Sequence, residues 1–285
     1  MVLPAFASLP EDAAILVGDA RNALISFAPE LFQTCITSPP YWGTRDYGVG
    51  NQIGAEESIA DYICHLREVF REVRRVLRDD GTLWLNIGDT YTSGNRKWRA
   101  PDRKNGARAM RYRPPTPEGL KPKDLVGVPW RVAFALQEEG WYLRSDVIWD
   151  KPNAQPESVK DRPTHSHEYM FLFSKSERYY YDYESGRERT SCGATLRNAR
   201  SVWSVKTEAK HPPHLAVFPP QLVRRCLLVS SRAGDSVLDP FAGSGTVGLV
   251  CKQEGRSFVG VEIKSEYANL ARIRIANAAR LARLV

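Results

Sequence analysis

The chain has 285 residues, of which 42% are hydrophobic and 26% charged, which is typical of a globular protein and excludes a disordered or fibrous one. Forty lysines and arginines against 33 acids favour an anionic partner. Five scattered cysteines without a CxxC motif argue against a disulfide framework or a metal site, and no apolar run is long enough for a membrane span. The first residues lack the pattern of a secretory signal, so we expect a cytoplasmic protein.

The first predicted elements alternate between strand and helix. Apolar runs predict strands at 13–17 and 31–37, with a short helix at 20–27 between them. The strongest helix covers 59–77, where apolar residues recur at steps of three and four, and Gly81 lies just past its expected end. A strand at 82–88 follows.

Residues 93–123 interrupt this pattern, since they are rich in Gly, Pro and Asn and lack apolar periodicity. Between positions 96 and 113 there is one acid, Asp102, against eight basic residues: Arg96, Lys97, Arg99, Arg103, Lys104, Arg108, Arg111 and Arg113. We expect a basic, flexible insertion that binds the phosphate backbone of a nucleic acid. A merely solvated loop is the alternative.

Regular elements resume after the insertion. The predicted strands are 141–149, 168–174, 179–183 (in a hairpin with its predecessor), 236–239 and 257–261. The predicted helices are 129–140, 220–231, 246–254 and one from Ser265 that turns Tyr267, Leu270, Ile273 and Leu281 inward. The segment 186–210 is polar and irregular. This alternation predicts an α/β fold with a doubly wound, mostly parallel sheet in a single domain over 1–285.

A glycine-rich loop follows the strand at 236–239. Gly243, Gly245 and Gly248 match the G-x-G-x-x-G pattern between a strand and a helix, and Glu262 closes the next strand. This arrangement predicts a nucleotide-type cofactor with the acid on its ribose, although a tight turn alone could explain the glycines. Asp239 at the strand tip would repel a pyrophosphate and attract an ammonium group. Since little chain follows Glu262, the rest of the sheet must come from upstream, which favours a permuted methyltransferase over a dehydrogenase.

The segment Ser38-Pro39-Pro40-Tyr41-Trp42 closes the strand at 31–37. Its prolines remove two backbone donors, so a carbonyl there can accept a hydrogen bond from a ligand amine. Ser38 adds a second acceptor and Tyr41 a flat stacking face, which together would hold a flipped base. A Pro-Pro turn or a polyproline ligand is the alternative interpretation.

These two motifs resemble those of the DNA amino-methyltransferases, in the permuted subgroup where the target-amine motif comes first. Ser38 to Tyr41 match its catalytic tetrapeptide, and Asp239 to Thr246 match its S-adenosyl-L-methionine loop. The resemblance implies that Ser38 and the Pro39 carbonyl accept hydrogens from the amine, with Pro40 completing the motif and Tyr41 stacking on the base. It also implies the cofactor site. Asp19 would lie near the adenine, Glu262 would bind the ribose, and Gly243 and Gly245 would pack under the methionine part. The remaining site residues would be Asp239, Phe241, Ser244 and Thr246 of the loop, and Phe218 and Pro219 of the pocket wall.

The resemblance implies methylation of the N4 amino group of cytosine in a specific duplex sequence, by base flipping and direct methyl transfer. Serine at the first motif position usually accompanies cytosine in this family, and N6 of adenine is the alternative target. RNA, protein glutamine or a non-catalytic DNA-binding module remain rivals. Residues 186–210 are the candidate target-recognition segment. The expected partners are double-stranded DNA, a restriction endonuclease linked by function only, and a second copy in a homodimer. The expected location is the nucleoid.

Overall fold

The computed structural model describes residues 13–93, 114–190, 195–208 and 219–282. Its strands are β1 (Ala14–Val17), β2 (Phe32–Thr37), β3 (Leu77–Ile87), β4 (Tyr142–Asp150), β5 (His167–Ser174), β6 (Glu188–Arg189), β7 (Leu196–Arg197), β8 (Val202–Ser204), β9 (Ser236–Asp239) and β10 (Ser257–Glu262). Its α-helices are α1 (Ala20–Ala23), α2 (Ile59–Val76), α3 (Val128–Glu138), α4 (Pro220–Ser230), α5 (Thr246–Gln253) and α6 (Ser265–Ala282).

Eight strands form one sheet in the order β1-β10-β9-β2-β3-β5-β4-β8. Neighbouring strands are parallel except at β5, which is antiparallel to both β3 and β4. Helices α2 and α3 contribute buried side chains to one hydrophobic core, and α4, α5 and α6 contribute to a second. Consecutive β2 residues serve different cores, with Cys35 in the first and Ile36 in the second, because side chains alternate across a strand. The predicted doubly wound, mostly parallel sheet is confirmed.

Helix α2 begins as its sequence predicts but ends earlier. Ser58 caps it, because its hydroxyl accepts a hydrogen bond from the Asp61 N–H at 3.0 Å. The helix ends at Val76, and β3 begins at the next residue. Gly81 therefore does not lie just past the helix end as predicted, since it lies inside β3. A Cβ at Gly81 would lie 2.8 Å from the Arg78 carbonyl oxygen, so the strand needs glycine at this irregular position.

The predicted strand at 179–183 is wrong, because its tyrosines pack against other elements without joining a sheet. The Tyr180 N–H donates to the Asp80 carbonyl at 2.9 Å. The guanidinium of Arg144 lies 5.6 Å from the Tyr179 ring centre, and that of Arg232 lies 4.1 Å from the Tyr180 ring centre. These cation–π contacts explain the aromatic run without a strand.

The segment 186–210 is more regular than its polar sequence predicts. It contains the short β6–β7 hairpin and then β8, which pairs in parallel with β4 at the edge of the main sheet. Trp203 of β8 is buried against Trp84, with 5.8 Å between the ring centres. This buried aromatic side chain holds the end of the segment on the sheet.

The inward face of α6 also differs from the prediction. Ile273 is 60% exposed, whereas Ala268, Ala271 and Ile275 are buried. Small side chains face α5 because the two helices approach closely at the glycine-rich loop, as described below. Among the residues that the structure describes, no helix is both long enough and apolar enough to cross a membrane.

Candidate cofactor and target-base site

Four neighbouring parallel strands end at one edge of the sheet, and each is followed or closed by a predicted site residue. Asp19 follows β1, Glu262 closes β10, Asp239 closes β9 and Ser38 follows β2. Ligands of open α/β sheets bind at this carboxyl edge. Asp19, Ser38 and Glu262 line one cavity there, together with Pro40, Phe241 and Gly243. The fold therefore joins the two predicted motifs in one site.

Glu262 is held in place by backbone donors on both of its oxygens. The Gly243 N–H donates to Oε2 at 2.8 Å, and the Lys264 N–H donates to Oε1 at 2.9 Å. The residue is 8% exposed, and this burial raises the pKa of its carboxyl despite the backbone bonds. A carboxylate oxygen can accept more than one hydrogen bond, so Glu262 can also accept from ribose hydroxyls.

Asp239 is a buried acid without a cationic partner among the described residues. Thr37 Oγ1 donates to its Oδ1 at 2.6 Å, and the Phe241 N–H donates to the same oxygen at 3.0 Å. Burial raises the pKa of Asp239 to about 7, and the charge of Glu262 adds to this effect. A cation bound beside Asp239 would restore its ionised form. Asp239 directly precedes Pro240, which lines the cavity, so its carboxylate fits a cofactor that carries an ammonium group.

Asp19 already has a charged partner. Its side chain caps α1 by accepting from the Arg21 N–H at 2.9 Å, and it forms an ion pair with the Arg21 guanidinium at 2.6 Å. Burial alone would raise the pKa of Asp19, but the hydrogen bonds and charge of Arg21 outweigh it and lower the pKa. Arg21 also donates to the Asn51 carbonyl at 2.9 Å. Asp19 thus links the cavity to the loop that follows the tetrapeptide.

The glycine-rich loop has two functional faces. Gly243 has φ +51°, and a Cβ there would meet nothing closer than the Phe241 carbonyl oxygen at 3.9 Å, so its open side faces the cavity. Gly245 has φ +76°, and a Cβ there would lie 2.7 Å from the Ala271 Cβ of α6. The structure therefore packs Gly245 against α6. The resemblance implied instead that Gly245 packs under the methionine part of the cofactor.

The other loop residues are also buried on the helix side. Ser244 is 3% exposed and accepts hydrogen bonds from Arg274 of α6 through its hydroxyl and its carbonyl. Thr246 is likewise 3% exposed, and its Oγ1 has no hydrogen-bond partner within the described ranges. Pro219 directly precedes α4. Phe218 lies outside the described residues, as do the eight basic residues predicted to bind DNA: Arg96, Lys97, Arg99, Arg103, Lys104, Arg108, Arg111 and Arg113.

The Pro39 and Pro40 carbonyls of the tetrapeptide differ in their hydrogen bonds. The Tyr62 hydroxyl donates to the Pro40 carbonyl at 2.8 Å. In the part of the chain that the structure describes, no hydrogen bond reaches the Pro39 carbonyl oxygen. Ser38 is partly exposed and lines the cavity. Ser38 Oγ and the Pro39 carbonyl are therefore available as the two acceptors predicted for an amine.

Tyr41 is held in place at its hydroxyl and at its ring. Its hydroxyl donates to Glu168 Oε2 at 2.7 Å and accepts from Ser38 Oγ at 3.4 Å. A Cβ at Gly88 would lie 2.8 Å from Tyr41 Cε2, so the ring needs glycine beside it. Burial, followed by the charge of Glu168, raises the pKa of Tyr41 well above its ordinary value, and the phenol stays neutral.

The loop that covers the cavity, residues 43–57, has no periodic pattern by which its sequence could be recognised. Arg45, Tyr47 and Gln52 of this loop line the cavity, and so does Tyr267 of α6. Gln52 braces the loop, because its Oε1 accepts from the Tyr47 N–H at 2.7 Å and its Nε2 donates to the Arg45 carbonyl at 2.9 Å. The Tyr47 and Tyr267 rings meet edge to face, 6.5 Å apart.

Comparison with known proteins places this site in a family. The chain is 62% identical over 262 residues to the Type II methyltransferase M.SmaI of Serratia marcescens, covering 92% of this chain and 90% of the relative. A Thermus thermophilus protein solved with S-adenosyl-L-methionine is 27% identical, with a TM-score of 0.66 and 94% of each chain covered. The cytosine-N4-specific PvuII DNA methyltransferase shares the fold at 20% identity, with a TM-score of 0.69 and 97% and 96% coverage.

The family model of the N6 and N4 DNA methylases matches residues 32–272. This range contains the tetrapeptide, the glycine-rich loop and Glu262, which the fold brings to one edge of the sheet. The chain therefore belongs to the N6/N4 DNA methylase family.

Proposed function

We propose that this DNA methylase transfers a methyl group to the exocyclic N4 amino group of cytosine within a specific sequence of duplex DNA. The observation that carries the proposal is that Ser38 lines the same cavity as Asp19 and Glu262, two of the carboxylates predicted to bind the cofactor. In chain order the tetrapeptide comes before the glycine-rich loop, which is the order of the permuted subgroup. The relative M.SmaI is a Type II methyltransferase, and we assign this chain the same role in a restriction-modification pair.

S-adenosyl-L-methionine is the cofactor, and it supplies an electrophilic methyl group on a sulfonium. Asp239 would bind its ammonium group, because this buried carboxylate has no cationic partner among the described residues. Glu262 would accept from the ribose hydroxyls, and Asp19 would lie at the adenine. Gly243 leaves room for the methionine part, since a Cβ there would project into the cavity.

The target amine needs activation because its lone pair is delocalised into the aromatic ring. Hydrogen bonds from the amine to Ser38 Oγ and the Pro39 carbonyl would turn the lone pair toward the methyl group. Transfer is then an in-line displacement that depends on positioning. The base must leave the duplex to reach this edge of the sheet, and the Tyr41 ring offers it a stacking face.

The choice of cytosine rests on Ser38 as the first residue of the tetrapeptide, and N6 of adenine is the competing target within the same family. Duplex DNA is the substrate, and the partner endonuclease acts on the same sequence without binding this chain. We place the enzyme in the cytoplasm at the nucleoid. A homodimer is a further proposal that gel filtration would test.

The test is chemical identification of the product. We expect DNA from cells that carry the gene, digested to nucleosides, to contain N4-methylcytosine by mass spectrometry, at sites that sequencing then defines. DNA from cells carrying the gene with Ser38→Ala is the control. N6-methyladenine in place of N4-methylcytosine would overturn the base assignment, and absence of both would overturn the proposed function.

A further inference from the structure

A line of hydrogen-bonded groups leads from the tetrapeptide to a carboxylate. Ser38 Oγ donates to Tyr41 Oη at 3.4 Å, and Tyr41 Oη donates to Glu168 Oε2 at 2.7 Å, a shorter contact than the 3.3 Å to its other acceptor, Asn86 Oδ1. The other Glu168 oxygen forms an ion pair with Lys151, which follows β4. Both protons in this line point toward Glu168, so the lone pairs of Ser38 Oγ remain available to a new donor at the cavity.

Methylation of an amine releases a proton. As the new N–CH3 bond forms and the S–CH3 bond breaks, the amine nitrogen becomes positively charged, and it regains neutrality when one of its N–H bonds breaks. A serine hydroxyl can accept a hydrogen bond from this amine, but it is far too weak a base to retain a second proton. A carboxylate can retain one. The proton therefore needs a route past Ser38.

We propose that Glu168 is the final acceptor of the proton released by the target amine, and that Ser38 and Tyr41 relay it. The amine proton passes to Ser38 Oγ, the Ser38 proton passes to Tyr41 Oη, and the Tyr41 proton passes to Glu168 Oε2. Both hydroxyls end neutral and Glu168 becomes a neutral acid. The positive charge lost from the sulfonium is balanced by the negative charge lost from Glu168. The proposal rests on amine methylation, and it holds for either target base.

The surroundings of Glu168 suit this role. The side chains of Glu168 and Lys151 are only 16% and 17% exposed, which limits direct loss of the proton to water. Among the described residues, the titratable groups that bond to Glu168 are Tyr41 of the tetrapeptide and Lys151 at the end of β4. Burial lowers the pKa of the neighbouring His167, and Lys151 is the basic side chain that forms an ion pair with Glu168. The neutral Tyr41 phenol can pass on one proton as it receives another.

The alternative role for Glu168 is to hold the Tyr41 ring in place. Glu168→Gln separates the two roles, because the amide oxygen still accepts from Tyr41 Oη but cannot take up the proton. Tyr41→Phe keeps the ring and breaks the line. Glu139→Gln is the matched control, since Glu139 pairs with Arg67 and Arg71 away from the cavity.

The experiment measures single-turnover methyl transfer to a duplex that contains the sequence modified by the wild-type protein, at saturating S-adenosyl-L-methionine. The wild-type reaction tests the proposed function first, independently of Glu168. We expect Glu168→Gln and Tyr41→Phe each to slow transfer about 10²-fold, the scale of a lost proton acceptor. The double variant should be no slower than either single one, and Glu139→Gln should match the wild type.

Two further readouts do not depend on the rate alone. Calorimetry should give unchanged cofactor affinity for Glu168→Gln, and an infrared difference spectrum after one turnover should show a protonated carboxyl band that this variant lacks. Transfer by Glu168→Gln at the wild-type rate would overturn the proposal. Weaker duplex binding with an unchanged saturated rate would also overturn it, because that result indicates an anchor for Tyr41. If Glu168→Gln fails to fold, Tyr41→Phe carries the same test.

Discussion

We expect Asp239 to make cofactor binding depend on pH, because burial raises the pKa of its carboxyl. Burial raises the pKa of this carboxyl from 3.8 to about 7, so in the cofactor-free protein it is partly protonated at neutral pH. An ammonium group bound beside it would favour the ionised form. We expect binding of S-adenosyl-L-methionine near pH 7 to release protons, and cofactor affinity to rise with pH until about pH 7.

Calorimetry in buffers of different ionisation enthalpy measures this release, and Asp239→Asn should abolish it while keeping the oxygen that Thr37 and Phe241 bond. The same pKa shift acts on stability. Because the folded pKa lies above the ordinary value of 3.8, Asp239 lowers the free energy of unfolding of the cofactor-free protein as pH rises from about 4 to about 7. Equal proton release by Asp239→Asn and the wild type would remove Asp239 from the ammonium site.

Glu262 calls for a more careful substitution than alanine. Its two oxygens accept from the Gly243 and Lys264 N–H groups, so Glu262→Ala would disturb the loop as well as the ribose site. In Glu262→Gln one amide oxygen remains as an acceptor and the charge is removed. We expect this variant to bind the cofactor more weakly by about 1–3 kcal/mol, the scale of a lost charge-assisted hydrogen bond. Unchanged affinity by calorimetry would exclude Glu262 from the cofactor site.

At the scale of elements, the glycine-rich loop separates binding from packing. Gly243 lines the cavity, whereas a Cβ at Gly248 of α5 would lie 2.5 Å from Ile275 Cδ1 and 2.6 Å from Phe258 Cδ1. We expect Gly248→Ala to lower the free energy of unfolding by about 1–3 kcal/mol through overpacking. Gly243→Ala should weaken cofactor binding, with a smaller stability loss that reflects its φ of +51°.

Denaturant unfolding and calorimetry on both variants give the comparison, each variant serving as the control for the other. A loss of cofactor affinity in Gly248→Ala without a loss of stability would contradict this division of the loop. Both glycines belong to one sequence motif, and only the packing of α5 on α6 tells their roles apart.

Prediction of helices and strands from sequence is limited in the same way, because the sequence does not show how segments pack. The helix α2 and the strands β1, β2, β9 and β10 were predictable, because their apolar residues follow one period and specific turn residues bound them. The tyrosines at 179–183 have the composition of a strand, but they lie where Arg144 and Arg232 pack on their rings. The sequence did not identify three parts of the site: Glu168, Lys151 and the loop 43–57. Single polar residues cannot be assigned to a site until the contacts between distant segments are known.

At the scale of the whole molecule, we expect the distribution of charge to determine how DNA is held. The segment 96–113 carries eight basic residues and one acid, so its charge of +7 equals the net charge of the whole chain. We predict that neutralising Arg103, Lys104, Arg108 and Arg111 together weakens binding to all duplexes. The log–log salt slope should fall by about 0.9 for each phosphate that the protein no longer neutralises. Cofactor affinity is the control and should not change. An unchanged salt slope would identify the segment as a solvated loop.

The sheet order has a consequence for the enzyme during its own synthesis. Thr37 and Asp239 bond across 202 positions, and β1 pairs with β10 rather than with an early neighbour. A ribosome that has just completed α4 has made Asp19 and the whole tetrapeptide, but β9, β10, Asp239 and Glu262 do not yet exist. The proposed cofactor site is therefore incomplete until β10 has been made. We expect a cell that receives the gene to finish nearly the whole protein before the first base is modified.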